Sequence, residues 1–131
     1  MIEDMGILRM TIELAPWHDH ARRRALHDVM VDTGSEYTWI PRSELEQLGV
    51  ERVRSERFEA ADGRILERDI GFAMVFTSGR STPTIVVFAN EGDLTLLGAI
   101  ALEGLNMRVD LARRQLVPAG PVPVAGLCAF A

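Results

Sequence analysis

The sequence predicts an all-β protein with one or two short helices. Three observations carry this reading: strict apolar–polar alternation near the N-terminus, a series of short β-branched and aromatic runs bounded by Gly, Pro, Asn and Asp, and only two stretches whose spacing suits a helix. With 131 residues the chain is sized for one domain, and 47% apolar and 25% charged residues are the balance of an ordinary globular fold.

Arg9, Thr11 and Glu13 interleave with Leu8, Met10, Ile12 and Leu14, which puts the apolar set on one face of a first strand. Pro16-Trp17-His18-Asp19-His20 breaks it, and residues 24–31 read as a second strand returning antiparallel. That strand closes on Val29-Met30-Val31 and stops at a carboxylate in the tight turn Asp32-Thr33-Gly34-Ser35. An apolar run belongs in the core and its end emerges at the core's edge, so Asp32 is expected on the floor of a depression.

Tyr37-Thr38-Trp39-Ile40 has the aromatic and β-branched character of a short strand, closed by Pro41. Ser43-Glu44-Leu45-Glu46 reads as a capping box opening a helix over 44–48, with Gly49 as its stop. Residues 50–61 and 65–76 are two extended runs joined across Asp62-Gly63, a dipeptide suited to a two-residue hairpin turn with both central φ angles positive. Thr77-Ser78-Gly79-Arg80 supplies another turn, and Thr84 to Phe88 reads as a buried strand. After the loop Asn90-Glu91-Gly92-Asp93, Leu94 to Leu97 ends at Gly98, where two backbones can approach closely. Ile100 to Leu105 suits a second helix, and 108–111 with 115–117 a final hairpin. From Pro118 onward there is no charged side chain, a composition that suits packing on the body, packing on a partner subunit, or disorder.

Composition removes several classes of function. A net charge of −5 and a pI near 5.2 speak against nucleic acid as a partner, because phosphate binding needs a basic surface. Arg22-Arg23-Arg24 is read as a solvated strand edge, since no aromatic residues interleave with it. All fourteen basic residues are arginine, which removes Schiff-base lysines and the P-loop lysine. The single Cys128 excludes an internal disulfide and a multi-cysteine zinc site, and His18 and His20 read as solvated loop residues, so neither metal nor cofactor is expected. Met1-Ile2-Glu3-Asp4 is not the start of a signal peptide and no apolar run spans a bilayer, so the expectation is a cytoplasmic protein without a membrane partner. A serine hydrolase is disfavoured by the lack of a Gly-x-Ser-x-Gly elbow.

Asp32-Thr33-Gly34-Ser35 after an apolar strand resembles the active-site motif of the aspartic proteases, and its context agrees in four places. Trp39-Ile40-Pro41 follows at the pepsin-like spacing, the Asp62-Gly63 hairpin comes where a flap belongs, Leu96-Leu97-Gly98 resembles the segment backing the catalytic loop, and a helix follows it. The chain is most similar to the retropepsin-like family in its bacterial single-domain form, over about Leu8 to Val117. Only one Asp-Thr-Gly occurs, whereas pepsin-like enzymes carry two; retropepsins carry one and assemble the site at a two-fold axis.

The resemblance implies a closed acid-protease β-barrel over residues 1–117, followed by an uncharged tail over 118–131. It implies a homodimeric endopeptidase that cleaves peptide or protein substrates with water activated by two Asp32 carboxylates, one per subunit. Two like charges so close titrate in separated steps, leaving one acid and one base. Thr33, Gly34 and Ser35 would support the carboxylate, Thr33 across the dimer. Leu97 and Gly98 would back its loop, and Ala60-Ala61-Asp62-Gly63-Arg64 would form the flap that covers substrate. The chain lacks the glycine-rich flap tip of retroviral enzymes and the flap tyrosine of pepsin-like ones. The alternative implied by the same likeness is a catalytically silent domain that binds peptides or a protein partner in the dimer groove.

Overall fold

In the computed structural model, which describes residues 7–125, nine strands and two helices follow one another. The strands are β1 (Leu8–Pro16), β2 (Arg24–Val31), β3 (Thr38–Pro41), β4 (Arg54–Glu59), β5 (Ile65–Thr77), β6 (Arg80–Ala89), β7 (Leu96–Leu97), β8 (Met107–Asp110) and β9 (Gln115–Pro118). The helices are α1 (Arg42–Leu48) and α2 (Ala99–Leu105). Met1–Asp4, Cys128 and the last six residues of the tail lie outside the described residues.

Seven strands form one sheet in the order β1-β2-β7-β3-β6-β5-β4, and β5 also pairs with β1. The ladders therefore run in a ring through β1, β2, β7, β3, β6 and β5, with β4 as an outlying edge strand. Inside the ring the alternating positions meet. Leu8, Ile12 and Leu14 of β1 are buried with Leu26 and Val29 of β2, Ile40 of β3, Val86 and Phe88 of β6, and the α2 residues Ala101, Leu102 and Leu105. Burying side chains of this size is worth roughly 1.5–3 kcal/mol each, which makes this cluster the main source of stability.

The first two strands pair antiparallel, with a bulge that sets His27 and Asp28 opposite Thr11. Asp28 takes a left-handed φ of 59°, as one bulge position commonly does, and the His27 ring lies 3.0 Å from the Thr11 hydroxyl. The bulge shifts the register so that Val29 is buried while Asp28 is exposed. Around the start of β2, the three arginines are exposed and contact oxygens: Arg22 donates to the Gln47 carbonyl, Arg23 to Glu13, and Arg24 to Glu44.

Two local expectations are corrected. Helix α1 starts at Arg42, directly off the last strand residue Pro41, and no side chain caps it. Ser43 therefore lies inside the first turn and forms no capping box. The stop is as expected: Gly49 is left-handed at φ 79°, and its N–H and that of Val50 bond back to Glu46 and Leu45.

The β4–β5 turn is not a two-residue turn with two positive φ angles. Ala60 N–H donates to Arg64 O at 2.8 Å and Gly63 N–H to Ala60 O at 2.9 Å, and Gly63 alone of the pair has positive φ. That is a three-residue loop, a type I turn followed by a left-handed glycine. The two-residue form appears at Ser78-Gly79 instead, with φ of 55° and 75° between the paired Thr77 and Arg80. Residues 50–53 lie outside β4, although Val53 N–H donates to Ile70 O of β5 at 2.7 Å, and the Glu51 carbonyl passes too close to Gly71 for a Cβ there.

Candidate active site

Strand β2 runs parallel to β7, pairing Met30 with Leu96 and Val31 with Leu97, and β7 in turn touches β3 at Trp39. The loop from Asp32 to Tyr37 must therefore cross over the end of β7 to reach β3. Gly98 is the point of crossing. A Cβ there would lie 2.8 Å from the Glu36 oxygen and 2.7 Å from the Tyr37 carbonyl carbon, so only glycine lets the two backbones pass.

Hydrogen bonds then fasten the loop to what lies beneath. Asp32 N–H donates to Leu97 O at 3.0 Å, Ala99 N–H to Ser35 O at 2.8 Å and Ile100 N–H to Glu36 O at 3.1 Å. Gly98 N–H donates to the buried Thr38 hydroxyl at 3.1 Å. The first amides of α2, which have no partner within the helix, thus hold the loop carbonyls. Leu97 and Gly98 meet the Asp32 loop through the main chain.

The Asp32 carboxylate is partly buried and fixed from two sides. Gly34 N–H donates to Oδ1 at 2.9 Å and the Ser35 hydroxyl to Oδ2 at 3.3 Å. Gly34 has little room for more: a Cβ there would sit 3.1 Å from Oδ1. Thr33 points into none of this and is exposed.

Asp32, Gly34 and Ser35 share a cavity of about 840 Å³ with the β4–β5 hairpin. Its walls are Tyr37 just before β3, Trp39 of β3, Glu56 to Glu59 of β4, Ala60, Ala61 and Arg64 of the hairpin loop, Leu66, and the segment Gly92-Asp93-Leu94 with Leu96. Of the five residues expected in a flap, Asp62 and Gly63 do not line it. Asp62 instead accepts from the Arg64 backbone N–H at 3.0 Å and its Nε at 2.8 Å, which holds the Asp62 carboxyl below the usual carboxylate range and shapes the loop tip. Leu97 and Gly98 do not line the cavity either.

No family model matches the sequence, and no curated protein matches it. Among solved structures the chain is similar to the solution structure of Simian Foamy Virus (mac) protease, at 18% sequence identity and a TM-score of 0.48, over 72% of this chain and 91% of that one.

Sequence reasoning missed the aromatic wall. Phe58 on the inner face of β4 meets Tyr37 at 5.8 Å between ring centroids and Trp39 at 5.0 Å, both edge to face. The signal was present in the alternation of β3: Thr38 and Ile40 are buried, so Tyr37 and Trp39 had to face the other side, where the Asp32 loop opens. The second missed feature is Asp93, whose carboxylate bonds to Arg68 and to Asn90 N–H and so pins the loop beside Leu94.

Among the described residues, no group of three or more His, Cys, Asp or Glu is arranged to hold a metal ion, and no helix is long and apolar enough to cross a membrane. His20 lies among aromatic rings, 6.0 Å from Trp17 and 6.3 Å from Phe76, and His18 is exposed.

Proposed function

We propose that the protein is an aspartic endopeptidase of retropepsin type, active as a homodimer in which two Asp32 carboxylates form one site. One observation carries the reading: a carboxylate held by Gly34 N–H and Ser35 at the floor of a groove whose far wall is a β-hairpin. A single carboxylate cannot both take a proton from water and protonate the scissile carbonyl. Two that share one proton can, the ionised member as base and the neutral member as acid. A two-fold interface supplies the second acid from the same sequence.

In this reading the ring of six strands is the acid-protease barrel, and the exposed Thr33 bonds across the axis to the partner's turn. The 60–64 hairpin acts as the flap, excluding bulk water while an extended peptide lies beneath it. Wild-type protein is expected to cleave a fluorogenic protein substrate. Asp32→Asn, whose carboxamide cannot take up a proton, is expected to lose at least about a hundredfold of that rate. Cleavage that survives the substitution sinks the reading, and peptide binding without cleavage by the wild type assigns the groove to recognition alone.

A further inference from the structure

The groove beside Asp32 combines two features that favour the same kind of ligand group. The first is the aromatic wall, in which Tyr37, Trp39 and Phe58 pack edge to face and turn their remaining surface to the cavity. The second is charge. Of the other ionised side chains lining the cavity, Glu56, Arg64 and Asp93 are each neutralised by a neighbour: Arg54 at 2.6 Å, Asp62 at 2.8 Å and Arg68 at 2.8 Å. Glu36 and Glu59 have no such partner among the described residues, and Arg57 is the one lining cation outside an ion pair; Arg57 and Glu59 alternate with Phe58 along β4 and stand exposed at the rim rather than on the aromatic face.

With Asp32 the uncompensated balance in one subunit is three carboxylates against one guanidinium, and a two-fold assembly whose Asp32 pair shares one proton carries five negative charges against two positive. An arginine or lysine side chain matches both features. Its methylene stem covers aromatic surface, its cation is favoured over ring faces, and its head reaches carboxylates at the rim. A glutamate or aspartate meets repulsion in the same place.

We infer that the groove selects peptides carrying an arginine or lysine close to the bond held over Asp32. The inference deepens the endopeptidase reading and rests on it for the word substrate, but the recognition itself requires no cleavage.

The test presents matched fluorogenic peptides that differ only in having Arg, Leu or Glu at each position flanking the scissile bond. The Arg peptide is expected to be cut at least about tenfold more efficiently than the Glu peptide at low salt, with the ratio shrinking as ionic strength rises. In the doubly substituted protein Glu36→Gln, Glu59→Gln that ratio falls towards one, while Glu103→Gln on the exposed side of α2 leaves it unchanged. Cleavage of the panel without preference for Arg, or a preference that persists in the double variant, overturns the inference and leaves the endopeptidase reading intact. If nothing is cut, the same peptides are titrated into the Asp32→Asn protein by fluorescence anisotropy. Tighter, salt-sensitive binding of the Arg peptide then upholds the inference while the endopeptidase reading fails, and equal or absent binding ends both.

Discussion

Arg68 on β5 grips Asp93 in the loop after β6 through two parallel hydrogen bonds, Nε to Oδ2 at 2.8 Å and Nη2 to Oδ1 at 3.0 Å. Both side chains are largely shielded, at 14% and 15% exposure, so this pair is screened less than the ion pairs on the open surface. It ties β5, which carries the β4–β5 hairpin, to the loop that presents Leu94 to the groove.

This pair sets a pH dependence. Hydrogen bonding to Arg68 holds the Asp93 carboxyl below the usual carboxylate range, more than burial raises it. A folded-state pKa below the unfolded one means the stabilisation is complete above about pH 4 and is lost only as pH falls through the lower, folded value. Asp93→Asn is therefore expected to cost about 1–3 kcal/mol at neutral pH, and the gap to wild type should close under strongly acidic conditions. Urea midpoints across that pH range measure it. An equal deficit at every pH contradicts the linkage.

Gly98→Ala is expected to destabilise by about 1–3 kcal/mol, because the added methyl drives into the Glu36 and Tyr37 backbone. The Asp32 loop would have to lift, so any Asp32-dependent cleavage should fall further than the stability loss explains. Chemical denaturation and an activity assay on the residual folded fraction separate the two effects.

Phe58 joins the edge strand β4 to β3 only through side chains, since β4 has its backbone ladder with β5 alone. Phe58→Ala removes two edge-to-face contacts, each worth about 0.5–1.5 kcal/mol. Amide exchange over Arg54–Glu59 should speed up while that of β1 and β6 stays as it was. Uniform acceleration throughout the sheet would indicate global destabilisation instead.

Ala119 and Gly120 are tied to Asn106 by two hydrogen bonds, whereas Val122 and Val124 beyond them stand 71% and 70% exposed. Removing residues 121–131 should leave the fold stable and, if the protein pairs as proposed, weaken that association. Sedimentation equilibrium at micromolar concentrations compares the two forms, and an unaltered dimer constant would release the tail from that role.

Sequence patterns reached the backbone of this site well and its walls poorly. The limits of β2 and its stop at Asp32 followed from an apolar run meeting a carboxylate, and the tight passage at Gly98 followed from a glycine ending a buried segment. Ser43 misled because Pro41 is still held in the β3–β6 ladder, so the chain turns into α1 without a free capping position. Asp62 misled because its carboxylate bonds to Arg64, which favours a longer loop than the dipeptide alone suggests. Tyr37, Trp39 and Phe58 read locally as strand formers; their convergence depends on β3 and β4 facing one another, which no local pattern encodes.

The crossing at Gly98 also orders events in time. Thr38 and Gly98 lie 60 residues apart in the chain, and the carbonyl that receives Asp32 N–H belongs to Leu97. A ribosome thus extrudes the whole acid motif long before the segment that gives it shape, and contacts this distant in sequence close late and slowly. A nascent chain halted before Leu96 carries the aspartate but lacks the Leu97 and Gly98 main chain that fastens its loop, so any chemistry at Asp32 waits until that segment has been made.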